Sequence, residues 1–70
     1  MITQTVAEWF KIADRLDEGD VALPIGSMER TASSLASYIF SEVDGDANDE
    51  VTLDFGDAYW DVAVMVALAR

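Results

Sequence analysis

Neither cysteine nor histidine occurs among the 70 residues of this chain, and that absence constrains the fold more than any motif in it. A chain this short buries only about 60% of its unfolded surface, so such domains commonly lean on disulfides, a structural metal or a second subunit. Without thiols the disulfide route is closed, and without thiolates or imidazoles a structural zinc site has no ligands. The fold must rest on apolar packing. With 51% hydrophobic residues the chain has the means, which also separates it from disordered acidic tails. One domain over residues 1–70 is expected, with a radius of gyration of roughly 11 Å. A homodimer is a natural way to extend so small a core.

The second constraint is electrostatic. Fourteen Asp and Glu stand against four Lys and Arg, a formal net charge of −10. Like charges repel most when the chain is compact, so something must reward the field: a cationic partner, a salty habitat or a need for solubility. Such a chain is repelled by anionic lipid and by nucleic acid, so neither membrane binding nor direct nucleic-acid binding is expected. The first ten residues, MITQTVAEWF, lack the basic start of a secretory signal. The longest apolar run, Val62 to Ala69, falls far short of the ~20 residues of a membrane helix. The expected location is the cytoplasm.

Two helices are legible. Thr5 and Glu8 form a capping box, and Val6, Trp9, Phe10, Ala13 and Leu16 recur at helical spacing with Ile12 on the flank. Gly19 offers the left-handed stop, which predicts a helix over 6–18. In the next stretch Pro24 forbids helix, while Val21, Leu23 and Ile25 alternate as a short edge strand or a connection pinned to the core. Ser27 reads as the N-cap of a second helix whose stripe is Met28, Ala32, Leu35, Ala36, Ile39, Phe40 and Val43, ended by Asp44-Gly45.

The remainder divides into two readings. Residues 51–55 (VTLDF) alternate as a half-buried extended segment. Read as a helix, the last segment is capped by Asp57 and turns Trp60, Ala63, Val64, Ala67 and Leu68 toward the core. The primary reading is thus a mostly α, three-helix domain with a short extended segment at about 51–55. The alternative is α+β, in which Gly56-Asp57 turns a hairpin of 51–55 against 58–68. Either way the last element is apolar almost all round, which marks Trp60, Val64 and Leu68 as a candidate dimer seam.

Most catalytic chemistry fails by absence. No Ser-His pair, Cys nucleophile or imidazole-bound metal is available, and the four glycines are scattered rather than gathered into a phosphate loop. No catalytic residue, cofactor or metal is expected. Lys11, the only lysine, lies between Glu8 and Arg15 on the first helix, and ordinary i,i+3 and i,i+4 pairs are its expected role. Asp44, Asp46 and Asn48 copy the first ligand positions of a calcium loop, but Asp49 replaces the turn glycine and Phe55 the bidentate Glu. Where acyl carrier proteins have Asp-Ser-Leu for phosphopantetheine, the nearest match here is Ser33-Ser34-Leu35, without the Asp.

The acidic residues themselves are the functional candidate. Asp14, Asp17, Glu18 and Asp20 crowd the end of the first helix, against its dipole. Glu42, Asp44, Asp46, Asp49 and Glu50 surround the central loop, while Asp54, Asp57 and Asp61 follow it. Carboxylates on a rigid body can stand in for the phosphates that basic proteins grip. In size and charge the chain resembles the small acidic inhibitors that phages and mobile elements encode. That resemblance implies a non-enzymatic inhibitor or modulator that occupies the basic, nucleic-acid-binding surface of a host protein, in the host cytoplasm if phage-encoded. The alternatives are a dimeric adaptor binding through apolar surface, or a halophile protein whose acidity reflects habitat.

Overall fold

Thr3 and Thr52, 49 positions apart, share a hydrogen bond between their hydroxyls at 2.6 Å and mark the contact that closes this fold. The computed structural model describes residues 1–24, 26 and 28–70. In chain order come β1 (Ile2–Thr5), α1 (Val6–Glu18), α2 (Met28–Glu42), β2 (Glu50–Leu53), a 3-10 turn (Gly56–Ala58) and α3 (Tyr59–Ala69). The protein is mostly helical, with the short extended segment expected near residue 51. What pairs with that segment is not the last element but the first. β1 and β2 run antiparallel, with Ile2 opposite Leu53, Thr3 opposite Thr52, Gln4 opposite Val51 and Thr5 opposite Glu50. Opposed residues share a face. Ile2, Val51 and Leu53 therefore turn together toward the core, and Thr3 and Thr52 toward water.

β1 was not anticipated because its sequence, ITQT, offers one apolar residue and no partner nearby. The hairpin of 51–55 against 58–68 does not form: residues 59–69 are helix, and the strand ends at Leu53. Ala, Met and Leu outweigh the valines there. A two-stranded ribbon is marginal alone and is held here by the helices beneath it. Trp9, fully buried, fastens it by donating its indole N–H to the Val51 carbonyl at 2.9 Å.

α1 begins and ends as its sequence requires. Thr5 accepts the Glu8 N–H on its hydroxyl at 3.1 Å, and Gly19 closes the helix at φ 72°, a left-handed conformation that glycine adopts freely. The Gly19 and Asp20 N–H groups donate back to the Leu16 and Arg15 carbonyls. The buried stripe is Val6, Trp9, Ile12, Ala13 and Leu16. Ile12 thus lies at the centre, and Phe10 is only half-buried, stacked on Phe40 of α2 at 6.0 Å between centroids. That stack explains why Phe40, expected in the core, keeps 45% of its surface exposed: two rings cover one another at the rim of the α1–α2 seam.

α2 buries Met28, Ala32, Leu35, Ala36 and Ile39, and Val43 follows them into the core. Position 10 lies beside position 40, while Leu16 and Ala32 line one groove, so the two helices run antiparallel. Val21 and Leu23 are partly buried against the core without forming a strand. The expected Ser27 cap and the Ile25 position lie outside the described residues.

α3 corrects the sequence reading most. Its buried face is Val62, Met65, Val66 and Ala69, not Trp60, Ala63, Val64, Ala67 and Leu68. Asp57 does not cap it. The chain enters through the 3-10 turn, where the Ala58 N–H donates to the Phe55 carbonyl at 3.1 Å. The resulting body has a Cα radius of gyration of 11.1 Å and extents of 33 × 25 × 18 Å.

Candidate protein-interaction surfaces

All the acidic side chains except the half-buried Glu8 are exposed. The described residues hold one ion pair, Arg15 to Asp20 at 3.8 Å. Lys11 therefore does not make the expected ion pair with Glu8. The nine carboxylates at the end of α1 and around the central loop divide by what they do.

At the end of α1, Asp14, Asp17 and Glu18 occupy i, i+3 and i+4 positions on an exposed face, with no cation in ion-pair range among the described residues. Asp20 differs, because Arg15 holds it. The same guanidinium donates to the Asp20 carbonyl at 3.3 Å and, across the interface, to the Ala69 and Arg70 carbonyls at 3.1 and 3.0 Å. Arg15 thus satisfies acceptors at the C-terminus of α3 from the last turn of α1, where a cation also suits the helix dipole.

The central loop has a structural task that the sequence did not reveal. Its Asp49 and Ala47 carbonyls accept the Val6 and Ala7 N–H groups at 2.9 and 3.1 Å, supplying the first donors of α1 with partners. The acidic loop therefore lies against the positive end of that helix, where negative charge is stabilising. Two carboxylates serve the turn itself. Asp44 Oδ1 accepts the Gly45 N–H at 2.8 Å, and Asp49 Oδ2 accepts the Asp46 N–H at 3.0 Å. Gly45 adopts φ 122°, and a Cβ there would stand 2.8 Å from Asp49 Oδ2, so this turn requires glycine. Glu42, Asp46 and Glu50 remain as exposed carboxylates outside the turn's hydrogen bonds.

The two acidic groups lie at opposite ends of the thirteen-residue α1, roughly 20 Å apart. The fold does not gather the set into one patch. Asp54, Asp57 and Asp61 are exposed near the start of α3, and Asp54 Oδ1 accepts the Gly56 N–H at 3.1 Å. Among the described residues no three acidic groups are placed to hold a metal ion. Phe55, at the last position of the calcium-like loop, packs on Trp9 and Tyr38 at 6.2 and 5.8 Å between ring centroids.

A partly open groove lies beside the α1–α2 pair. It spans about 300 Å³ between the end of α1 and the start of α2, lined by Leu16, Val21, Leu23 and Ala32 with Asp17 and Glu29 at its rim. No polar or charged side chain among the described residues is buried.

The candidate seam residues lie together on the outward side of α3. Trp60, Val64 and Leu68 expose 78%, 38% and 43% of their surfaces, with exposed Ala67 between them. Tyr59 packs edge-on against Trp60 at 5.8 Å. No family model, no curated protein and no solved structure matches this chain.

Proposed function

We propose that this protein is a small, non-catalytic inhibitor or modulator that occupies a basic surface of a protein partner, and that acts in the cytoplasm. One observation carries the reading: Asp14, Asp17, Glu18, Glu42, Asp46 and Glu50 are exposed carboxylates committed neither to an ion pair nor to the turn. Such groups repel one another in the folded chain, and the three at the end of α1 also oppose its dipole. A basic groove that normally grips phosphates would be their complement, engaged at rates raised by steering and weakened by salt.

The test is capture of partners from nuclease-treated lysate, with wild-type protein compared with two charge-reversed forms. Asp14→Lys/Asp17→Lys/Glu18→Lys alters the end of α1, where added cations favour the helix dipole and the fold should gain stability. Glu42→Lys/Asp46→Lys/Glu50→Lys spares Asp44 and Asp49, which hold the turn. The expected result is a nucleic-acid-binding protein that binds wild type, elutes with salt, competes with duplex DNA and is lost with at least one reversal. Binding that resists salt and survives both reversals would overturn the reading. It would favour an apolar adaptor, for which the exposed side of α3 is the observation in hand.

A further inference from the structure

α3 is apolar on both sides, yet the fold covers only one. Val62, Met65, Val66 and Ala69 pack inward, while Trp60, Val64, Ala67 and Leu68 face out, with Asp61 on their flank. A helix that is hydrophobic all round is ordinarily buried all round. We propose that the outward face of α3 is the seam of a symmetric homodimer, in which α3 packs antiparallel on α3 of a second copy about a two-fold axis at Val64.

Three observations select a second copy as the occupant. The face is self-complementary. Trp60 and Leu68 each lie four residues from Val64, about 6 Å along the helix in opposite directions. A two-fold axis therefore sets the Trp60 of each copy over the Leu68 and the small Ala67 of the other. Bulk meets small residue, as close helix packing requires. The charge is also right for self-pairing. Asp61 at its edge is offset by Arg70 in the adjoining groove, so the face gives a basic partner little to hold, and α1 with Asp14, Asp17 and Glu18 packs on the opposite side of α3.

The area is the third. Trp60 is 78% exposed, on the order of 200 Å² from that residue alone. The face continues into a shallow groove between β1 and α3, lined by Met1, Thr3, Ala63, Ala67 and Arg70. Together these give roughly 500 Å² a side, or about 1,000 Å² in the pair, the lower limit for a specific interface. The dimer is accordingly a weak one, formed at micromolar concentration. It leaves the α1 carboxylates in solvent and repeats them across the axis.

The experiment is sedimentation equilibrium of the full chain across the micromolar range, at low and at molar salt, with tryptophan emission recorded alongside. Trp9 is fully buried, so a concentration-dependent spectral shift reports Trp60. Dimer is expected, with a blue shift as it forms. Because each copy carries −10, salt should tighten the association several-fold. This sign is opposite to that of binding through carboxylates, so the two proposals fail separately. Val64→Asp should weaken the dimer at least about tenfold. Trp60→Ser, at a position exposed in the monomer, should do the same with circular dichroism unchanged. A monomer at every concentration and both salts would overturn the proposal. So would a dimer that neither substitution weakens.

Discussion

Arg15 shows how much of this small fold passes through single side chains. One of four cations in the chain, it joins α1, the turn after it and the end of α3 through its hydrogen bonds to the Asp20, Ala69 and Arg70 carbonyls. Its partners are backbone acceptors fixed in space, so geometry matters more than charge. Arg15→Ala should cost about 1–2 kcal/mol in urea unfolding, allowing for its partial exposure. Arg15→Lys should recover less than half of that, because an ammonium cannot span acceptors on two elements. Full rescue by lysine would show that charge near Asp20 was all that mattered. By contrast Asp14, Asp17 and Glu18 make no comparable contact among the described residues.

At the scale of elements, α3 is where sequence and structure part. Its residues are apolar at nearly every position, so periodicity could not say which side faces inward. The α1–α2 pair decided it, because only Val62, Met65, Val66 and Ala69 fit against the surface those helices leave. The expected consequence is a reversal of the sequence-based ranking. Val66→Ala should destabilise by about 2 kcal/mol through a cavity in the core. Val64→Ala should change the stability of dilute protein by less than about 0.5 kcal/mol. Chemical denaturation of the two variants, run side by side, checks this. Equal costs would mean that α3 is rotated from the position described here. The acidic loop makes a related point: its backbone, not its charge, carries the first turn of α1.

For the whole molecule, the net charge of −10 is spread over a body only 33 Å long. With one ion pair among the described residues, self-repulsion is screened by salt rather than by neighbouring cations. Unfolding free energy should therefore rise by about 1 kcal/mol between dilute buffer and molar sodium chloride, as when a few weak surface contacts are gained. The protein should nevertheless be folded in dilute buffer, since among the described residues sixteen buried hydrophobic side chains form a core without charge. Thermal unfolding at several salt concentrations measures this. Collapse of the fold below molar salt would instead assign the acidity to a saline habitat.

By itself the sequence determined α1 and α2: a capping box, a left-handed glycine and two long apolar stripes are local signals, each contained within a single helix and its ends. It also determined that the acids lie on the surface, since unpaired carboxylates are not buried. It showed that the last segment is apolar at nearly every position. Only the tertiary structure decided the rest. The pairing of Thr3 with Thr52, the exchange of Ile12 for Phe10 at the core, the inward side of α3 and the seat of the acidic loop on α1 all depend on contacts between distant residues. Their energies arise where two surfaces meet, and neither surface alone encodes the match.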